Sequence, residues 1–126
     1  MSEARRSRVL LVDDEPIILS IVEINLRLAG FEVSACASGE EALCQAQERP
    51  PDVVVLDVLL PGIDGFEVCR RLRAIREVAD VPVIMLTAQA QDEDRQRGYA
   101  LGVHEYVTKP FDPRALVELV RSAVAS

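Results

Sequence analysis

Three short, continuous apolar runs constrain this chain more than anything else in it: Val9–Val12 (VLLV), Val53–Leu56 (VVVL) and Val83–Leu86 (VIML). A strand that is apolar at every position has both faces covered, as in a parallel sheet packed between helices. Two other stretches, Phe31–Cys36 (FEVSAC) and Val103–Val107 (VHEYV), alternate and suit half-exposed edges. The segments between and after them have helical length and mostly helical apolar spacing: Pro16–Ala29, Glu40–Glu48, Phe66–Ile75, Asp92–Leu101 and Asp112–Ala125. Pro16 suits a first helical turn and Gly30 a stop. Ser38 with Glu41 forms a capping box, and Asp64 can cap the third helix.

Five strands alternating with five helices predict an α/β fold with helices on both faces of a parallel sheet. Interior positions for strands one, three and four, with two and five as edges, give the order 2-1-3-4-5. This is the known flavodoxin-like, doubly wound arrangement. The 126 residues read as one domain, with residues 1–7 as a flexible tail and Arg5, Arg6 and Arg8 as its solvated charges.

Fourteen basic against 21 acidic residues leave a net charge of −7. That balance speaks against direct nucleic-acid binding by this domain and against an anionic membrane surface. No apolar run approaches the roughly 18–20 residues of a membrane span. The polar N-terminus shows no secretory signal. Cys36, Cys44 and Cys69 are odd in number and widely spaced, so they read as small apolar fillers in a reduced, cytoplasmic protein.

In such a sheet, ligands bind at the carboxyl ends of strands where the order reverses, here between strands one and three. Strand one leads into Asp13 and Asp14, strand three into Asp57, strand four into Thr87, and Lys109 follows strand five. Three converging carboxylates with one lysine invite a divalent cation, and oxygen-only ligands favour Mg²⁺. A carboxylate, Mg²⁺, a hydroxyl donor and a lysine are the equipment for phosphoryl transfer to Asp57.

Four stretches in order, Leu11–Glu15 (LVDDE), Val53–Gly65 (VVVLDVLLPGIDG), Val81–Ala88 (VPVIMLTA) and Gly102–Phe111 (GVHEYVTKPF), carry a resemblance. From Arg8 to Val124 the chain resembles a receiver domain of two-component response regulators. The resemblance implies that Asp57 is the phosphoacceptor and that Mg²⁺ is bound by Asp14, Asp57 and the Leu59 backbone carbonyl, with Asp13 acting through a water. It implies that Lys109 pairs with the phosphoryl group, that Thr87 and Tyr106 form the switch, and that Lys109-Pro110 is cis. A sensor histidine kinase or phosphotransfer protein would donate the phosphoryl group. Self-phosphorylation and autodephosphorylation would be the domain's only chemistry. The face made by helix four, strand five and helix five would control an output domain or a downstream protein.

Some positions depart from the family pattern. Val103 replaces a usual alanine, and His104 a frequent acidic or amide residue. Leu59 and Gln89 flank the acceptor where the family tunes dephosphorylation. Leu119 stands where many relatives carry an arginine used in a charged dimer, which favours a partner contact over a salt-bridged homodimer. A haloacid-dehalogenase-like phosphatase would need a second aspartate at Leu59. A flavodoxin would need a Ser/Thr/Gly-rich loop after strand one. The remaining alternative is a degenerate receiver that binds partners without phosphorylation.

Overall fold

A computed structural model describes residues 6–88 and 91–125. The strands are β1 (Arg8–Val12), β2 (Glu32–Cys36), β3 (Val53–Asp57), β4 (Val83–Thr87) and β5 (Glu105–Thr108). The helices are α1 (Pro16–Leu28), α2 (Gly39–Glu48), α3 (Gly65–Arg73), α4 (Asp92–Ala100) and α5 (Pro113–Ala125), with a short 3₁₀ turn at Arg76–Val78. All neighbouring strands pair in parallel, in the order β2-β1-β3-β4-β5. Among the described residues no helix is long and apolar enough to cross a membrane.

The period of two along each strand divides the core between the two faces of the sheet. Val9, Leu11, Val53, Val55, Ile84 and Leu86 pack with Val22 and Leu26 of α1 and Leu116 and Val120 of α5. Leu10, Val12, Val54, Leu56, Val83 and Met85 pack with Ala42 and Ala46 of α2 and Val68, Cys69 and Leu72 of α3. The continuous apolar strands are therefore buried on both sides, which fixes their register.

Local signals act as expected at most ends. Ser38 Oγ accepts from the Glu41 amide at 3.2 Å, and Asp64 Oδ1 accepts from the Glu67 amide at 2.8 Å. Gly30 adopts a φ of +99° just past α1, where a side chain would be strained. The Lys109-Pro110 bond is cis.

Other expectations change. Arg8 is the first residue of β1, not part of a tail. Its amide donates to Asp52 Oδ2 at 2.7 Å and its guanidinium pairs with Glu32. Residues 1–5, which include Arg5, lie outside the described residues. Cys36 and Cys69 are buried, but Cys44 is exposed on α2 and fills nothing. Burial pushes the Cys36 thiol up to about 11, aided by nearby Glu41, so it stays a protonated, unreactive filler. Leu119 is half-buried against the α1 and α5 core, not a free apolar contact on the outer face.

Within α4 only Gly98 is buried, so this helix has almost no apolar anchor of its own. Arg73, at the end of α3, compensates at one end. Its guanidinium donates to the carbonyls of Leu101 (3.1 Å) and Gly102 (3.0 Å) beyond α4, and of Ala79 (3.2 Å) and Val81 (2.6 Å) before β4. Replacing Arg73 with methionine keeps much of the stem but leaves these carbonyls without their charged donor. We expect a loss of about 1–3 kcal/mol in denaturant unfolding. Amide exchange should rise around Leu101–Val103 well before it rises in β3.

Candidate functional site

The site forms because the strands end in polar residues at one edge of an otherwise apolar sheet. Asp57 pairs in register with Leu86, and Thr87 with Thr108, so both are still held by the ladder. Asp13 follows β1, and its amide donates to Cys36 O at 3.1 Å. The Lys109 amide donates to Thr87 O at 2.8 Å, which brings the loop after β5 over the end of β4. Gly65 lets α3 start tight against this edge. A Cβ there would fall 2.4 Å from Asp57 O and 2.8 Å from Val58 Cα.

Among the described residues, Asp13, Asp57 and Thr87 are the buried polar residues of the core. Asp57 Oδ1 accepts from the Leu59 amide at 3.1 Å, and Oδ2 accepts from Lys109 Nζ at 3.0 Å. Asp13 Oδ1 accepts from the Glu15 amide at 2.9 Å. Asp13 Oδ2 lies 2.9 Å from Lys109 Nζ as an ion pair but has no aligned hydrogen bond. Asp14 is exposed at the rim, and Asp13, Asp14 and Asp57 each offer an oxygen within 4.8 Å of the others. Thus the structure brings together Asp13, Asp14, Asp57, Thr87 and Lys109. Tyr106 is buried, with its ring against Gly98 of α4 and under the Arg95 guanidinium, 5.5 Å from the ring centre. Gln89 lies outside the described residues.

Sequence reasoning missed one member. Glu15 Oε1 sits 2.5 Å from Lys109 Nζ, so the site holds four carboxylates rather than three, and three of them pair with the one ammonium. Glu15 was visible in the LVDDE stretch, but it follows the strand end by three residues and nothing in its spacing links it to Lys109. Its side chain caps nothing.

The electrostatics follow from burial and pairing. Burial pushes the Asp57 carboxyl up. The Lys109 and Leu59 hydrogen bonds oppose this, and Asp13 reinforces it. Burial alone would lower Lys109, but its close pairing with the carboxylates of Glu15, Asp13 and Asp57 outweighs this and raises the ammonium above its usual range. The donor set is all oxygen, net negative, and includes a buried Asp13 oxygen short of a hydrogen bond. That fits a small hard divalent cation.

This geometry has known counterparts. The response regulator receiver domain family matches residues 9–121. The DNA-binding dual master transcriptional regulator RpaA of Synechocystis is 43% identical over 115 residues, 91% of this chain and 48% of that protein. The chemotaxis protein CheY4 of Vibrio cholerae superposes with a TM-score of 0.90 at 35% identity, covering 94% of this chain and 99% of that one. The receiver domain of the sensor histidine kinase PA1611 of Pseudomonas aeruginosa superposes with a TM-score of 0.88 at 32% identity, covering 97% and 100%. In that structure a magnesium ion is coordinated in the active-site cleft. The chain belongs to the receiver domains of two-component response regulators.

The same relatives overturn one expectation. The acidic balance excluded nucleic acid from the partners, yet RpaA is itself a DNA-binding regulator. The chain spans about half the length of the curated relatives it matches. A charge count over that half cannot speak for a phosphate-binding surface elsewhere in such proteins.

Because the folded protein raises the Asp57 pKa, ionised Asp57 costs stability at neutral pH. Asp57→Asn should therefore raise the melting temperature at pH 7 without metal. The sign reverses nowhere, but the gain should shrink as pH falls through the raised folded value toward the ordinary carboxylate range. Thermal melts of both proteins across pH 4–8 check this.

Proposed function

We propose that this domain is a phosphorylation-activated switch whose acceptor is Asp57. The observation that carries the reading is the Asp57 carboxylate itself. It is buried at the end of β3, held by Lys109 at 3.0 Å, and flanked by Asp13 and Asp14. In the transfer, an Asp57 oxygen forms a bond to phosphorus as the N–P bond of a donor phosphohistidine breaks. The N–P electron pair stays with the imidazole, which is left neutral or takes up a proton according to its starting state. Mg²⁺, held by Asp14, Asp57 and the Leu59 carbonyl with Asp13 acting through a water, would neutralise charge on the transferring group. Lys109 supplies the second positive charge, and Thr87 can donate a hydrogen bond to a phosphoryl oxygen.

The signal would leave through α4, β5 and α5. Thr87 is joined to β5 through Thr108 and Lys109, and Tyr106 on β5 packs directly on α4. A helix with one buried residue is easily displaced by such a shift. The donor has a suitable surface next to the site. Ile17, Ile21, Ile24 and Leu28 are all exposed on α1, which starts two residues after Asp14. Their spacing suits the apolar face of a partner helix. We place this chemistry in the cytoplasm, and the phosphoryl group's formation and loss on Asp57 as the domain's only reactions.

Acetyl phosphate with Mg²⁺ should add one phosphoryl group to the wild-type protein and none to Asp57→Asn. Intact-protein mass spectrometry reads the difference. An undiminished adduct on the asparagine variant would contradict the assignment.

A further inference from the structure

Glu15 has no part in the reading above, yet its carboxylate makes one of the three ion pairs of Lys109. The three are unequal in kind. The side chains of Asp13 and Asp57 are 0% and 4% exposed and approach the ammonium from inside the sheet edge. The side chain of Glu15 is 57% exposed and approaches from the solvent side, where an incoming phosphodonor must pass. Its backbone is fixed by the bond from its amide to Asp13 Oδ1 at 2.9 Å and by Pro16, the first residue of α1. Lys109 itself is only 11% exposed, so its head has little freedom to serve another partner while all three pairs stand.

We propose that Glu15 is a brake on phosphorylation: a positioning residue that occupies the outward-facing side of Lys109 and must release it before the lysine can serve an incoming phosphoryl group. This rests on Asp57 being the acceptor. Asp13 and Asp57 already hold Lys109 in the site, so Glu15 is dispensable for its placement. A carboxylate at the mouth also repels a dianionic donor. Both effects act in one direction. Removing the Glu15 charge frees one side of Lys109 and lowers the repulsion, so transfer becomes faster.

The test measures the rate of adduct formation by acetyl phosphate at saturating Mg²⁺, using intact-protein mass spectrometry. Glu15→Gln should react about twofold to fivefold faster than wild type, the change expected from releasing one partly exposed ion pair. Glu15→Asp keeps the charge but is one methylene too short to hold Lys109, so it should react faster than wild type and more slowly than the glutamine variant. A metal-free readout accompanies it. The NMR signals of the Lys109 side-chain methylene next to Nζ should shift in both variants relative to wild type, while those of β3 stay in place. A glutamine variant no faster than wild type would overturn the brake. A fast glutamine variant beside an aspartate variant at the wild-type rate would assign the effect to charge alone and overturn the Lys109 contact as its cause. If wild type forms no adduct, or Asp57→Asn forms one, it is the acceptor reading that fails.

Discussion

A single ammonium group, Lys109 Nζ, makes the polar edge of this sheet possible. Asp13 and Asp57 are buried at the ends of β1 and β3, within a core that is otherwise apolar apart from Thr87 among the described residues. Burial, and to a lesser extent each other's charge, makes such carboxylates resist ionisation, and Asp57 already does. Lys109 reaches both, 2.9 Å from Asp13 and 3.0 Å from Asp57, and takes Glu15 as a third partner. The balance stays uneven, with four carboxylates and one cation. The fold thus keeps an excess of negative charge at this edge, at a cost in stability that the proposed switch would exploit.

That excess depends on the strands. Because β3 and β4 are apolar up to their last residues, Asp57 and Thr87, and are covered on both faces, their register cannot slip without carrying Asp57 into the apolar layer or Leu56 out to the polar edge. The ladder carries Asp57 and Thr87 to the same edge, and the turn after β5 lays Lys109 over them. Movement is possible only where the apolar packing is thin. In α4 one residue is buried, Tyr106 fills the space beside Gly98, and Arg73 pins only the far end.

Strand order and the strand-end residues were legible because both depend on periodicity and on position within an apolar run. The capping box at Ser38 and the cap at Asp64 were legible because they are local. What sequence could not supply is contact across long separations. Glu15 and Lys109 are 94 residues apart, Arg73 and Leu101 are 28 apart, and no spacing rule links either pair. Arg8 looked like tail because a charged residue at a strand's first position carries no apolar signal, although Asp52 and Glu32 hold it. Leu119 looked like an outer contact because an apolar arc on α5 does not say where its edge meets α1. The charge count misled differently. It was extended to the partners of a family that includes DNA-binding regulators about twice as long.

The central claim is that charge added at Asp57 is read out on the α4, β5 and α5 face. Hydrogen–deuterium exchange with and without beryllofluoride, in the presence of Mg²⁺, tests it most directly. The account predicts that protection changes in α4, around Tyr106 in β5 and along α5, while β1 and β3 stay unchanged. Changes confined to α2 and α3, or none at all in a protein that binds beryllofluoride, would contradict it.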